Sequence, residues 1–321
     1  MKQLLFMGGF PSGGTDLTKT VVNAHPNIEI RGEMPFLISL KKEGYSQSSA
    51  IKNEKQFQDF LRVLGELDVY NRIGNLNCPF SDYTKQENKP GIDAALWMSL
   101  STTEASIRGF KTPQYTEQLP ELYELFPTAK FLIIVRDVRD VCLSWDKKWG
   151  KDMILCADKW ARRMSSAYHF TKSGSDGRTL FVRYEDLLDN TKTIAELICN
   201  FLSIPFSTSM LEHEKHTEEV VDGKLNYGKS IISDNKNKWR HKLSKKKILR
   251  IEQIAFDTMS LFDYPVSVAE SEKKINLLEY YYGRLRDVYA TIFIGNRSLS
   301  QENKYKIRIK SIFIELKKII S

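Results

Sequence analysis

Residues 8–17, GGFPSGGTDL, bring together the residue types that hold a phosphate. The apolar run Leu4 to Met7 precedes them and Leu17, Val21 and Val22 follow, a pattern that predicts a strand, a glycine turn and a helix. Gly13 and Gly14 allow a ligand to approach the backbone, and Thr15 adds a hydroxyl. The unpaired N–H groups that open a helix attract an anion. Laid onto GxxxxGK[ST], Gly8 to Thr15 places Gly14 where a nucleoside triphosphatase carries its phosphate-reaching Lys. ATP or GTP hydrolysis, and with it a nucleoside monophosphate kinase, is therefore disfavoured. A tight strand-to-helix turn without ligand is the plainer alternative.

A second segment, VRDVRDVCLSW, puts Arg136 at the end of the most apolar stretch of the chain and Ser144 eight residues later. Ligands of α/β sheets sit beyond the carboxyl ends of the strands, so Arg136 is expected on the same edge as the glycine turn. Ser144 falls about two turns into the helix that starts near Asp137. An Arg fork and a hydroxyl together suit a second anionic group. Alternatively Arg136 pairs with Asp137 or Asp140. Glu33, in IEIRGEMPF, follows an alternating stretch that ends a second strand at the same edge. It is the candidate general base; a salt bridge to Arg31 is its structural alternative.

These residues need a scaffold, and the pattern supplies one. KQLLFMGGF, NIEIRGE, SIRGFKTP, AKFLIIVRD and RTLFVR read as strands. Helical patterns intervene: residues 14–24, much of 34–105 with an interruption at NLNCPFSDYTKQENKPG, LPELYELFP stopped by Pro127, Val138–Gly150, Met153–Lys172, and EDLL continued by TIAELICNFLSI. Alternation of this kind implies a central parallel sheet flanked by helices on both faces. Residues 206–240 are polar and poorly periodic and read as a long loop. Helices finish the chain. The last places Ile309, Ile312, Phe313, Leu316, Ile319 and Ile320 on one face and lysines on the other.

The chain of 321 residues is 41% hydrophobic with a net charge of +8, enough to bury a core without disulfide staples. Its four cysteines, Cys78, Cys142, Cys156 and Cys199, form no metal-binding pattern and read as buried thiols in a reducing compartment. No metal is expected. No run of apolar residues is long enough to span a membrane and no signal peptide is read, so the expected location is cytoplasmic. The basic residues form no nucleic-acid module, which leaves an anionic membrane or a polyanionic small ligand to account for the charge.

The segments also resemble, in order, those of the sulfotransferases that use 3′-phosphoadenosine 5′-phosphosulfate (PAPS). The family pattern GxPRSGTTLLRxxLxAHP corresponds to GGFPSGGTDLTKTVVNAHP, and RDxRDxxxS to RDVRDVCLS. VRYEDLL with FLSIPF, NKWRHKLS and the GFKTPQY segment of bacterial members also correspond. The resemblance spans residues 3 to about 265 and implies a P-loop-like sulfotransferase fold. It suggests a sulfotransferase domain at 1–265 and a helical extension at 266–321 that packs on it or on a partner. It further implies that loop residues Ser12, Gly13, Gly14, Thr15 and Asp16 hold the 5′-phosphosulfate and that Arg136 and Ser144 hold the 3′-phosphate. Tyr184 would lie near the adenine, and Lys238, Trp239 and Arg240 would close over the 3′-phosphate. The product would be 3′,5′-diphosphoadenosine (PAP). Glu33 occupies the place of a catalytic Glu in protein-tyrosine sulfotransferases. His25 belongs to the AHP motif and reads as capping a helix end.

One departure matters. Relatives carry Lys or Arg after the loop Pro, where this chain has Ser12, and Asp16 replaces a Thr. Lys111, in a KTP context at the same edge, is the candidate replacement cation, with Lys148 second. The alternative is a catalytically impaired protein that binds PAPS or PAP. The acceptor is expected to be a hydroxyl of a carbohydrate, a glycolipid or a peptide tyrosine. The terminal amphipathic helix suggests peripheral membrane contact or a homo-oligomer. The tyrosines of YYYGRLRDVY, at helical spacing, are expected to pack against the body.

Overall fold

The computed structural model describes residues 3–45, 51–67, 80–81, 92, 95, 104–174, 177–212, 235–268 and 275–294. Five strands, β1 (Gln3–Gly9), β2 (Ile28–Arg31), β3 (Ile107–Lys111), β4 (Lys130–Val135) and β5 (Thr179–Arg183), form one sheet in the order β2-β3-β1-β4-β5. Every pairing is parallel. The period of two sorts the strand residues cleanly. Phe6, Phe131 and Ile133 join one core, while Leu5, Met7, Leu132 and Ile134 join another on the opposite face. A sheet buried on both faces explains why β1 and β4 read as continuous apolar runs.

The helices that cover it are α1 (Thr15–Asn23), α2 (Leu37–Lys42), α3 (Glu54–Leu67), α4 (Leu119–Leu125), α5 (Val138–Trp149), α6 (Met153–Ser173), α7 (Tyr184–Asp189), α8 (Thr191–Leu202), α9 (Trp239–Lys242), α10 (Lys245–Leu261) and α11 (Leu277–Tyr289). Local signals set their ends. Asp137 caps α5 through a bond from the Arg139 N–H, and Asp152 caps α6. A reciprocal box of Asn276 and Glu279 opens α11.

All five strands fall where the hydrophobic pattern puts them. The long loop at 206–240 is less featureless than expected: a 3-10 turn covers Thr208–Leu211 and α9 begins at Trp239. Residues 213–234 lie outside the described residues, as do Cys78 and the amphipathic stretch at 304–318. Cys142, Cys156 and Cys199 are buried free thiols. No helix among the described residues is long and apolar enough to cross a membrane.

Candidate active site

Strand order fixes the order of the chemistry along the carboxyl edge of the sheet. β2 leads to Glu33, β3 ends at Lys111, β1 runs into the glycine loop, β4 leads to Arg136 and β5 to Tyr184. Lys111 is in register with Met7 of β1, and Phe110 with Arg31 of β2. Lys111 therefore stands between the glycine loop and the Glu33 segment. On the other side Gly9 pairs with Ile134 and Val135 with Arg183, which brings Arg136 and Tyr184 up to the loop.

The loop closes tightly: the Gly13 N–H donates to Phe10 O at 2.7 Å. Ser12 takes a φ of 66° and Gly14 one of 89°, both left-handed. A Cβ on Gly14 would fall 2.1 Å from the Tyr184 ring, so only glycine lets that ring lie against the turn. The Thr18 N–H makes the first bond of α1, to Gly14 O at 3.1 Å. The N–H groups of Thr15, Asp16 and Leu17 thus open the helix without a helical acceptor, and no side chain caps it. The Ser12 hydroxyl is buried and has no hydrogen-bond partner among the described residues.

Lys111 is buried, and its ammonium lies 2.7 Å from Asp16 Oδ1 and 3.0 Å from Glu33 Oε1. Burial alone would lower its pKa, but the two carboxylates, Asp16 foremost, hold it above the ordinary lysine value. Asp16, the acidic residue in the first turn of α1, is thereby paired with a cation. Arg31 pairs with Glu29 at 2.9 Å. The KTPQYT segment also fixes the backbone on either side. Thr112 Oγ1 accepts the Met34 N–H, the Tyr115 hydroxyl donates to Met34 O, and the Thr116 hydroxyl donates to Gly9 O.

Arg136 does not pair with its neighbouring aspartates. It donates to Ser12 O at 3.0 Å and to Asn235 O at 2.7 Å, and its guanidinium lies 4.6 Å from the centre of the Tyr184 ring. Its Nε is buried and finds no partner among the described residues. Arg139 takes Asp137 instead, in a fork that also reaches Glu252 at 2.5 Å. Glu185 accepts the Asp137 N–H and the Tyr264 hydroxyl. In RDVRD, then, the first Arg faces the loop while Asp137 and Arg139 brace the helix that follows.

Asp140 Oδ1 accepts the Trp239 N–H at 2.9 Å, which anchors the NKWRHKLS segment on α5. Trp239 is buried beneath the Arg139 guanidinium, 3.7 Å from its ring, with the exposed Arg240 at 4.9 Å. Lys238 donates to Asn235 Oδ1, and the Asn235 amide donates to the Tyr184 hydroxyl. Desolvation, with repulsion from Arg136 and Lys242, lowers the Lys238 pKa. Ser144 is half-buried between Asp140 and Lys148, at the spacing that puts all three on one face of α5. Desolvation acts on Lys148, opposed by Asp16 and reinforced by Arg136 and Lys111. Its pKa is lowered. The structure thus links Glu33, Lys111 and Asp16 on one side of the loop, and Ser12, Arg136, Tyr184 and Lys238 on the other. It adds Asn235, Thr112, Tyr115 and Glu185, whose polar types sit in the quoted segments or beside them but carry no spacing signal. His25 accepts the Asn27 N–H on Nδ1 and so donates from Nε2 to Pro205 O, pinning the turn after α1. A cavity of about 430 Å³, lined by Glu117, Lys159, Arg162, Arg163 and Ser166, involves none of the rim residues.

An uncapped helix start, a buried unpartnered hydroxyl and a buried guanidinium with a spare N–H suit a phosphorylated ligand. Fold and rim together define an α/β enzyme of the P-loop-like class, with its candidate site at the carboxyl edge of the sheet. The sequence model of the sulfotransferase family matches residues 5–208, and the chain belongs to that family. It is 25% identical over 237 residues to a putative protein-tyrosine sulfotransferase of Caenorhabditis briggsae, a match covering 69% of this chain and 72% of the relative. It is 26% identical over 228 residues to protein-tyrosine sulfotransferase 1 of Danio rerio, covering 66% of this chain and 56% of the relative. For the protein-tyrosine sulfotransferase of Drosophila melanogaster the match spans 40% of the relative's length. Among solved structures, the sulfotransferase domain from the curacin biosynthetic pathway superposes with a TM-score of 0.56 at 17% identity, covering 83% of this chain and 99% of that one. The sulfotransferase domain of the Synechococcus PCC 7002 olefin synthase gives 0.54 at 20%, covering 82% and 95%. Both share the fold.

Proposed function

We propose that this chain transfers a sulfuryl group from PAPS to a hydroxyl acceptor, with Glu33 as general base. The observation that carries the reading is the linear order Glu33, Lys111, loop, Arg136 along one edge of the sheet. Bound PAPS would supply the activated sulfuryl group and a phosphate leaving group. The amides of Gly13 to Asp16 and the Thr15 hydroxyl would hold its 5′ end at the opening of α1. Arg136 and Ser144 would hold the 3′-phosphate, with Lys238 and Arg240 adding charge at the mouth. Buried Tyr184 and Trp239 act as supports: the first sets Arg136 and the Gly14 turn, the second sets the basic segment on α5.

Glu33 receives the acceptor proton. Lys111 aims that carboxylate through its 3.0 Å contact, and its ammonium would meet the charge growing on a leaving oxygen held at the loop. The relatives named protein-tyrosine sulfotransferases favour a phenolic acceptor over a sugar. Incubation with labelled PAPS and matched tyrosine peptides, oligosaccharides and glycolipids, read by mass spectrometry, tests this. Label on the peptide supports it; label on sugar alone reassigns the acceptor.

A second reading rests on a specific observation. Ser12 replaces the loop cation, and Lys111 is shared by two carboxylates. A protein that binds PAP without transferring sulfate fits those facts. Stabilisation by PAP but not ATP, with no transfer to any acceptor, would select it.

A further inference from the structure

α11 is amphipathic the wrong way round. Its inward face carries Gly283, Arg284 and Asp287, all buried. A Cβ on Gly283 would fall 2.8 Å from the Leu155 side chain, so the helix sits close against the start of α6. Asp287 accepts the Asp152 N–H at 2.8 Å and faces Lys159. Arg286 donates to Gly150 O and Asp146, and Arg250 of α10 grips Glu279 through two bonds. The helix is therefore firmly seated through polar contacts. Its apolar residues point out: Leu278 is 83% exposed, Leu285 68%, Tyr282 66% and Phe293, in the turn that follows, 64%. Tyr281 and Tyr289 continue the same stripe. The expectation that these tyrosines pack against the body fails because ion pairs, not apolar contacts, hold the inner face.

A stripe of this kind on a soluble surface marks an interaction site. We propose that the outward face of α11 docks the protein on an anionic lipid surface. Two features choose that occupant. At about 20 Å long and about 10 Å wide, the helix face is well short of the roughly 800 Å² per partner that a stable protein interface needs. An interfacial helix needs only to lay such a face into the headgroup layer, where Tyr, Leu and Phe are favoured. Beside it lies a matching charge. Lys246 and Lys247 are exposed one turn before Arg250, the residue that holds Glu279, and Lys245 is exposed next to them. A lysine cluster at the end of an apolar stripe, on a chain of net charge +8, is attracted to acidic headgroups.

The test is cosedimentation of the full chain with vesicles of phosphatidylcholine and phosphatidylserine, with pure phosphatidylcholine as control. Wild type is expected to bind the mixed vesicles more tightly. The variant Leu278→Ser/Tyr282→Ser/Leu285→Ser should lose about tenfold or more in partition. Lys245→Gln/Lys246→Gln/Lys247→Gln should lose the preference for the anionic vesicle. All substituted residues are exposed, and unchanged PAP-dependent stabilisation checks the fold; the single change Leu285→Glu serves if the triple variant melts early. Wild type that stays in the supernatant, or stripe variants that sediment as wild type does, would overturn the proposal. So would a dimer in sedimentation equilibrium that the stripe variant dissolves, which would assign the face to a second copy.

Discussion

The Lys111 ammonium lies 3.0 Å from the Glu33 carboxylate, although the two residues are 78 positions apart. The contact follows from strand order. β3 lies between β2 and β1, so the residue that ends it meets both the Glu33 segment and the Asp16 turn. A lysine there is held by carboxylates from both sides, Asp16 at 2.7 Å and Glu33 at 3.0 Å.

Glu33→Gln is expected to lower kcat by about 10²-fold or more while leaving PAP binding near wild type, because an amide cannot take the acceptor proton. Turnover with labelled donor, beside a PAP thermal-shift titration, measures both. Wild-type turnover in the variant would remove Glu33 from the base role.

Lys111→Met leaves Asp16 and Glu33 facing each other without their shared cation. Stability is expected to fall by about 1–3 kcal/mol and turnover with it. Asp16→Asn in the Lys111→Met background should restore part of the melting temperature but not the turnover, since only the first depends on relieving repulsion. Since the Lys111 pKa is raised, its stabilising charge is present below 10.5 and lost only as the pH climbs through the raised value. No loss of activity traceable to Lys111 is therefore expected between neutral pH and that point.

Arg136→Lys keeps the charge but gives up the fork that spans Ser12 O and Asn235 O. PAP affinity is expected to drop by about 10- to 100-fold, read by calorimetric titration, with the melting temperature of the free protein little changed. Equal affinity in the two proteins would mean that Arg136 props the loop without touching the nucleotide.

Much of this arrangement was legible in the chain. Strand runs such as FLIIV are apolar because both faces of a parallel sheet are covered, and the glycine loop and Arg136 each follow such a run. Lys111 ends the run that the sequence marks as a strand, and the strand order converts that place into contact. What pattern did not reveal were pairings that cross the sequence. Arg136 and Arg139 are both arginines three apart in RDVRD, and only the packing of Glu252 beneath α5 decides which takes Asp137. Asn235 sits at the edge of a polar loop with no periodicity to mark it. The tyrosines of α11 were misplaced for a related reason: helical spacing identifies a face, but not which face the rest of the molecule holds.

Gly14→Ala tests the support of the loop. The new methyl would meet the Tyr184 ring at 2.1 Å and sit on a backbone with a φ of 89°. A stability loss of about 1–3 kcal/mol is expected, together with weaker PAP binding as the turn opens. In the double variant Gly14→Ala/Tyr184→Ala the steric part should vanish and the backbone strain remain, so the two losses should fall short of additive in denaturant melts. Strict additivity would show that ring and turn do not communicate.

Glu185 sets a pH signature for the brace behind Arg136. Burial raises its pKa, partly opposed by bonds from the Tyr264 hydroxyl and the Asp137 N–H. A carboxyl whose folded pKa is raised favours the folded state while it is protonated. Its contribution is full below the unfolded value of 4.5 and is lost as the pH rises through the folded one. Glu185→Gln has no such titration, and its amide oxygen still accepts one of the two bonds. The stability of wild type relative to Glu185→Gln should therefore decline as the pH rises from 4.5 and level off once Glu185 is ionised in the folded state as well. Urea melts of the two proteins across that range measure the decline. A difference that instead grows in favour of wild type with rising pH would show that the two donors outweigh burial and that Glu185 is held ionised.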